Sequence, residues 1–151
     1  MNQIGQKRRI INRLAVEEEL QSKIGDGVYD SSMRPKILSV LKMALIEGKA
    51  EVQKRFEVAG ANTNFGSEVM SGNTFLVDQL VRILFDVATN RAYPVANKST
   101  SEKLCIVAVG GYGRSELAPF SDVDLMFLIP YKETPYSEQI IEFVLYMLWD
   151  M

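Results

Sequence analysis

The sequence predicts an α+β fold, in which a helical N-terminal half precedes a strand–turn–strand–helix unit. Two stretches, from about residue 36 to 59 and from about 74 to 92, repeat apolar residues at the three- and four-residue spacing of a helix. Further along, two apolar runs of strand length flank a glycine-rich turn. With 151 residues, the chain has room for about one domain. We divide it into a helical region, residues 1–98, and a sheet-containing region, residues 99–151.

The first half of the helical region contains one weak and one strong helical pattern. Residues 4–24 mix charged and aliphatic residues without a wide apolar stripe, which predicts a weak helix docked on a partner or on a missing part. From residue 36 to about 59 the pattern is helical, with Gly48 as one mild breaker. The residues predicted to share its buried face are Ile37, Leu41, Leu45, Val52 and Phe56.

The second half of this region contains a loop, a strong helix and a linker. Residues 60–72 are rich in Asn, Gly, Ser and Thr and predict a loop. The helix from about 74 to 92 has a wide apolar stripe and ends before Pro94, since the residue preceding a proline is disfavoured in helical conformation. Residues 97–102 form a polar linker. The stripe includes Leu76, Leu80, Leu84 and Val87.

The sheet-containing region alternates strand and turn signals before a last helix. Residues 104–109 are a continuous apolar run, typical of a strand buried on both faces. Residues 110–113 form a turn with three glycines, and residues 123–129 form a second strand. Thr134 can cap and Pro135 can open the final helix. Its predicted core residues are Ile140, Ile141, Val144, Met147 and Leu148.

Composition limits the chemistry and the compartment. The formal charge of −2 gives no general basic character for nucleic acid, and no apolar segment reaches the ~18 residues of a membrane helix. No histidine is present, so catalysis must use carboxylates, Lys, Tyr, Ser, the backbone or a metal. Cys105, the single cysteine, excludes an internal disulfide and is expected to be a small buried residue. We expect a cytoplasmic protein that binds neither membrane nor nucleic acid.

The candidate metal ligands are Asp122 and Asp124. Residues two apart on a strand share a face, so both carboxylates are expected on one side while Val123 points into the core. Two close carboxylates repel, and a divalent cation reverses that cost. Mg²⁺ prefers oxygen ligands and typically binds through one or two carboxylates together with substrate phosphates.

The candidate phosphate-binding residues begin at Gly110 and Gly111. Glycines allow positive φ and a close approach of the backbone, and the N–H groups of such a turn can bind an anion. Arg114 can donate to a phosphate or pair with Glu116, and the sequence does not decide between the two. Tyr112 is interpreted as a packing residue of the turn.

Residues 110–124, Gly-Gly-Tyr-Gly-Arg-Ser-Glu-Leu-Ala-Pro-Phe-Ser-Asp-Val-Asp, resemble the signature of polymerase-β-like nucleotidyltransferases, and more narrowly that of bacterial PII uridylyltransferase/uridylyl-removing enzymes. The resemblance implies a multifunctional enzyme of nitrogen regulation. It implies Mg²⁺-dependent transfer of UMP from UTP to a tyrosine of the PII signal protein. Asp122 and Asp124 would be the catalytic metal ligands, and the nucleotide-binding residues would be Gly110, Gly111, Arg114 and Ser121.

The same resemblance makes the chain look like an N-terminal fragment. Family members are several times longer and carry a third carboxylate that no residue here can be assigned to. The final helix reaches Asp150 and Met151 without a C-terminal breaker, which favours a truncated catalytic core over residues 99–151, inactive or weakly active alone. The alternatives are an adenylyltransferase of the glutamine-synthetase type, a small toxin–antitoxin nucleotidyltransferase, and a non-catalytic nucleotide- or protein-binding module.

Overall fold

The α+β fold class is confirmed by a computed structural model, which describes residues 3–59, 65–96 and 99–151. The sheet has two antiparallel strands, and none of the described helices combines the length and apolarity needed to span a membrane. The elements are α1 Gln3–Ile10, α2 Arg13–Ile24, α3 Met33–Ala59, α4 Phe65–Val87, a π-helix Ala88–Ala92, a 3₁₀ helix Thr100–Glu102, β1 Cys105–Ala108, α5 Gly110–Gly113, β2 Leu125–Leu128 and α6 Pro135–Asp150.

One hydrophobic core joins the helical half to the C-terminal unit. The long helices α3 and α4 form its centre, α2 packs on α3, and α6 packs on α4 and on the π-helix. Ile106 and Phe127 of the sheet pack against the same core. The fully buried residues that build it include Ile37, Leu41, Leu76, Leu80, Leu84, Ile140, Val144 and Met147.

The weak helix predicted over residues 4–24 is two helices, and their docking surface lies within the chain. The break falls at Ile11, which is buried together with Ile10 in the same core as α3 and α4. Leu20 of α2 is likewise 3% exposed. Burial of these residues fixes the turn between the helices, a tertiary effect that the local pattern does not reveal.

Phe56 is the one wrong residue on the predicted face of α3. The other four are buried or half-buried, whereas Phe56 is 56% exposed. Phe56 lies on the last turns of α3, beyond Val52, which is the last described residue of this helix to be buried. Its side chain therefore lies outside the main core.

The loop predicted over residues 60–72 is helical from Phe65 onward, and residues 60–64 lie outside the described ranges. Gly72 lies where α4 packs closely on α3, because a Cβ at this position would lie 3.1 Å from Cγ2 of Val52.

The helix ends before Pro94 as predicted, since Tyr93 is non-helical and Pro94 follows it. In the predicted linker, residues 97–98 are likewise outside the description, and Ser99 caps a short 3₁₀ helix.

Gly48 does not break α3, because it lies where Leu76 of α4 and Ile10 of α1 pack against this helix. A Cβ on Gly48 would lie 2.8 Å from Cδ2 of Leu76 on α4 and 3.0 Å from the carbonyl oxygen of Ile10. Helices approach this closely only where one of them lacks a side chain. The local loss of helix propensity, ~1 kcal/mol, is thus offset by packing.

The sheet is shorter and more exposed than the sequence predicts. β1 and β2 pair in antiparallel register, Cys105 opposite Leu128 and Ala108 opposite Leu125. The prediction that the first strand is buried on both faces is wrong, as is the prediction that Cys105 is buried, because the helices cover only one face of the two strands. The pattern in β2 shows this directly: Met126 and Leu128 are exposed on the uncovered face.

The final helix is confirmed with its predicted start. The Thr134 hydroxyl accepts a hydrogen bond from the N–H of Ser137, the Ser137 hydroxyl completes the reciprocal cap, and Pro135 occupies the first turn. Ile140, Val144 and Met147 are fully buried, and Ile141 and Leu148 are half-buried.

Substitution of Gly48 by Ala should test the close approach of α3 and α4. We expect Gly48→Ala to lower the free energy of unfolding by about 1–2 kcal/mol, since overpacking outweighs the gain in helix propensity. Gly66→Ala is the matched control, because a Cβ on Gly66 of α4 meets nothing within 4 Å. Urea unfolding measures both, and a Gly48→Ala protein as stable as the Gly66→Ala protein would contradict the packing.

Candidate active site

The glycine turn, residues 110–113, follows β1 directly and forms the single helical turn α5. Gly110 has φ +59°, a conformation that L-residues with a side chain adopt rarely. A Cβ on Gly110 would lie 2.5 Å from Oδ2 of Asp124, so the carboxylate occupies the space that any other residue would fill. The glycine is therefore required both by its dihedral angle and by the acid beside it.

Strand pairing brings Asp124 to this position. The N–H of Val109 donates to the carbonyl oxygen of Asp124 at 3.1 Å, which extends the β1–β2 register by one residue beyond Leu125. Val109 immediately precedes Gly110, so the acid lies across from the start of the glycine turn. By strand alternation Asp124 shares the uncovered face with Met126 and is exposed like it.

Asp122 and Val123 lie before β2 rather than inside it. The strand begins at Leu125, two residues later than predicted, and Val123 is 40% exposed, so the prediction that it points into the core is wrong. At this end of the sheet the backbone bond from Val109 to Asp124 continues the ladder. Asp122 is exposed, and its proximity to Asp124 follows from their spacing in the chain.

The side-chain carboxylates of Asp122 and Asp124 form no hydrogen bond or ion pair with another described residue, and both residues are exposed. No group of three or more potential metal-binding side chains occurs within the described ranges. Asp150, whose role the sequence left unassigned, accepts a hydrogen bond from Nη2 of Arg34 at 2.8 Å. The structure therefore offers the Asp124 carboxylate beside the glycine turn as an oxygen ligand, with Asp122 two residues earlier in the chain.

Arg114 adopts one of its two predicted arrangements, the ion pair with Glu116. Its Nε donates to Oε2 of Glu116 at 2.9 Å, and its Nη1 donates to the carbonyl oxygen of Gly110 at 2.9 Å. The guanidinium thus holds the first residue of the glycine turn. Ser121 lies outside this arrangement, because its hydroxyl donates to the carbonyl oxygen of Ala118.

Three polar residues of α4 that were not predicted from the sequence hold the glycine turn and the segment that follows it. The hydroxyl of Tyr112 donates to Oδ1 of Asp78 at 2.8 Å. Further on, the N–H of Leu117 donates to the Thr74 hydroxyl at 3.3 Å, and Nδ2 of Asn73 donates to the Leu117 carbonyl at 3.4 Å. The polar residues beside the apolar stripe of α4 were the sequence feature from which such contacts could have been predicted.

Tyr112 is a packing residue, and its environment favours the protonated hydroxyl. It is 3% exposed. Burial raises the pKa of Tyr112 well above its usual range, and the hydrogen bond to the Asp78 carboxylate raises it further. The hydroxyl therefore stays a donor to Asp78 across physiological pH, which excludes it as a base.

The segment between the glycine turn and Asp122 contains two residues in left-handed conformation. Ser115 has φ +61° and Phe120 has φ +65°, although neither is glycine. Such conformations cost of order 1 kcal/mol or more each and persist where surrounding contacts impose them. The contacts on Leu117 lie between the two, and they fix this segment in place.

Comparison with curated proteins gives consistent matches. The chain is 46% identical over 149 residues to the bifunctional uridylyltransferase/uridylyl-removing enzyme of Rhodospirillum rubrum, covering 98% of this chain and 16% of that protein. The enzyme of the same name from Azospirillum brasilense is 43% identical over 148 residues, which are 98% of this chain and 15% of that protein. The enzyme of the same name from Erythrobacter litoralis is 44% identical over 151 residues, which are 98% of this chain and 16% of that protein. No family model and no solved structure matches.

Proteins of this name are nucleotidyltransferases, and the matches support a nucleotidyltransferase family for the chain. More narrowly, the resemblance stated from the sequence is confirmed: the chain is a segment of the bifunctional uridylyltransferase/uridylyl-removing enzyme family. It spans about one sixth of the length of the curated relatives that it matches.

The two glycines of the turn should respond differently to substitution by Ala. Gly110→Ala should lower the free energy of unfolding by about 1–2 kcal/mol, because positive φ is unfavourable for Ala and the Cβ displaces Asp124. Gly111→Ala should change it by less than about 0.5 kcal/mol, because its Cβ would meet only the Glu116 carbonyl oxygen at an ordinary 3.5 Å. Urea unfolding of both variants checks this, and equal stabilities would contradict the geometry.

The hydrogen bond from Tyr112 to Asp78 should appear in the pH dependence of stability. Because the folded-state pKa of Tyr112 is raised, the stability it contributes is complete below the unfolded-state pKa of about 10 and declines as pH rises above it. Tyr112→Phe should cost about 1 kcal/mol at neutral pH and reduce this alkaline decline. Tyr131→Phe, at a residue 82% exposed, is the control. Urea unfolding at about pH 8 and pH 11 measures both, and identical profiles would contradict the assignment.

Proposed function

We propose that this chain supplies the triphosphate- and magnesium-binding part of a uridylyltransferase that transfers UMP from UTP to a tyrosine of a PII signal protein. The observation that carries the proposal is the position of the Asp124 carboxylate, which occupies the space that a Cβ on Gly110 would fill, beside a turn that begins with φ +59° at Gly110. It puts an oxygen ligand for a cation beside a backbone bend that suits a phosphate. The names of the relatives support the uridylyl group as the unit transferred.

The donor set at the glycine turn fits Mg²⁺. Asp122 and Asp124 are exposed carboxylates without protein partners in the described ranges, so a cation would not have to displace an existing ion pair. Mg²⁺ binds through one or two carboxylates, substrate phosphates and retained water, and it therefore needs no larger cluster of side chains. When bound, it supplies neutralisation of phosphate charge during phosphoryl or nucleotidyl transfer.

The remaining residues of the glycine turn can bind and orient the triphosphate. The first N–H groups of a helical turn have no partner within the helix, and no side chain caps α5 at Val109. Arg114 uses Nε and Nη1 for Glu116 and Gly110, but a guanidinium has five N–H donors and this side chain is 66% exposed. Its free donors can reach a phosphate oxygen while its bond to Gly110 persists.

The acceptor and the turnover belong to the longer protein. The chain covers about one sixth of its relatives, and its candidate residues act on phosphate and cation rather than on the nucleotide base or on an acceptor tyrosine. For the chain alone we therefore expect Mg²⁺-dependent binding of UTP with little or no turnover. Comparison of UTP with ATP separates this proposal from an adenylyltransferase.

Removal of the Asp124 carboxylate should weaken the binding of UTP that depends on Mg²⁺. We expect UTP to bind the chain more tightly with Mg²⁺ than with EDTA, and Asp124→Asn to weaken Mg²⁺-dependent binding by about tenfold or more. Isothermal titration calorimetry of UTP and ATP, with and without Mg²⁺, gives these affinities. Asp150→Asn is the control, because it removes the same charge from an exposed pair with Arg34.

If Asp124→Asn and Asp150→Asn weaken the Mg²⁺-dependent binding of UTP equally, the loss reflects the overall charge of the chain rather than a metal ligand at Asp124. Tighter binding of ATP than of UTP would favour the adenylyltransferase. If neither nucleotide binds in the presence of Mg²⁺ while circular dichroism shows a folded chain, the candidate site is wrong. Pyrophosphate release by the chain, lost in Asp124→Asn, would exclude the non-catalytic alternative.

A further inference from the structure

A cleft of about 420 Å³ lies behind the glycine turn, between α4 and the covered face of the sheet. We name it the α4 cleft. Ile106, Ala108 and Leu125 line it from the sheet, and Val81 and Phe85 line it from the helix. Its volume is within the range of small-ligand sites. None of Gly110, Gly111, Asp122 and Asp124 lines it, so it is separate from the candidate active site.

Arg82 is the distinctive charged group of the α4 cleft. Its neighbours one turn away on the helix are Asp78 and Asp86, either of which could form an ion pair with it at a spacing of four residues. Both acids are engaged elsewhere: Asp78 accepts from Tyr112 at 2.8 Å, and Asp86 pairs with Arg13. Arg82 forms no hydrogen bond or ion pair with any residue in the described part of the chain.

The α4 cleft is lined by two arginines and two aspartates, so its formal charges balance, and Arg82 is the arginine among them that has no carboxylate partner in the described part of the chain. Arg13 neutralises Asp86, and the Tyr112 hydroxyl satisfies one oxygen of Asp78. Arg82 and Tyr112 both line the cleft, and the positive charge of Arg82 opposes the rise in the pKa of the Tyr112 hydroxyl. A guanidinium next to an apolar wall matches a carboxylate on an apolar body, because its fork of donors binds both carboxylate oxygens.

We propose that the α4 cleft binds a small organic carboxylate, with its charge on Arg82 and its apolar or aromatic body against Phe85 and Ile106. The proposal does not depend on nucleotidyl transfer. An occupant would touch Tyr112, the residue whose hydroxyl fastens the glycine turn to α4. Binding is therefore detectable at Tyr112 itself.

Titration with sodium benzoate tests the site, with benzamide as an uncharged probe of nearly the same shape. In ¹H–¹⁵N NMR spectra, benzoate should cause saturable shifts of the amide signals of Phe85, Ile106 and Tyr112. Benzamide should bind about tenfold more weakly, because it lacks the charge-assisted hydrogen bonds to Arg82. Arg82→Gln should weaken benzoate to the level of benzamide, whereas Lys42→Gln, which removes a positive charge from the exposed face of α3, should leave it unchanged.

Three results would overturn the proposal: equal affinity for benzoate and benzamide, unchanged benzoate affinity in Arg82→Gln, or shifts confined to the uncovered sheet face at Met126 and Leu128. The comparison of the two probes uses the unaltered chain, so it decides even if Arg82→Gln fails to fold. Arg82→Lys gives a second check, since it keeps the charge but lacks the fork and should weaken benzoate several-fold.

Discussion

The hydrogen bond from the Tyr112 hydroxyl to Asp78 ties the glycine turn to α4, and through α4 to the hydrophobic core. The same helix that places Leu76, Leu80 and Leu84 in the core presents Asp78 to Tyr112. A turn with three glycines has little intrinsic preference for one conformation, because glycine loses more backbone freedom on folding than any other residue. Fixing it therefore requires external contacts, and the helical half of the chain provides them. The helical N-terminal half thus holds the candidate active site in position.

Two glycines show that backbone space, rather than flexibility, determines where glycine stands in this chain. Gly48 lets α4 and α1 approach α3, and this contact sets the position of the helix that carries Asp78. Gly110 leaves room for the Asp124 carboxylate at the start of the turn. In both places a methyl group would collide with a neighbouring group. A chain of contacts therefore leads from the helical core to the candidate metal ligands.

The sequence predicts features governed by local rules and misses those governed by tertiary contacts. The faces of α3 and α4, the stop at Pro94 and the Thr134 cap of α6 follow from periodicity and capping, and they are confirmed. Cys105 and Val123 were assigned to the interior because an apolar strand usually lies between two layers, and here only one layer is present. In the candidate site, the motif pointed to Gly110 and Asp124 as neighbours along one end of the sheet. The partners on α4 lie more than thirty residues away in sequence, and no local pattern links them to the turn.

The two faces of the short sheet serve different purposes. Ile106 and Phe127 on the covered face attach the strands to the helical core, and the α4 cleft opens beside them. Asp124 and Met126 on the other face are exposed. The hydrogen bonds between α4 and the residues Tyr112 and Leu117 lie on the covered side, so they hold this part of the chain without occupying the uncovered face, which Asp124 shares. The triphosphate that we propose for this site could therefore bind on the open side without first displacing rigid groups. Ser115 and Phe120 keep their unfavourable left-handed conformations because the hydrogen bonds from α4 to Leu117 hold the segment between them in place.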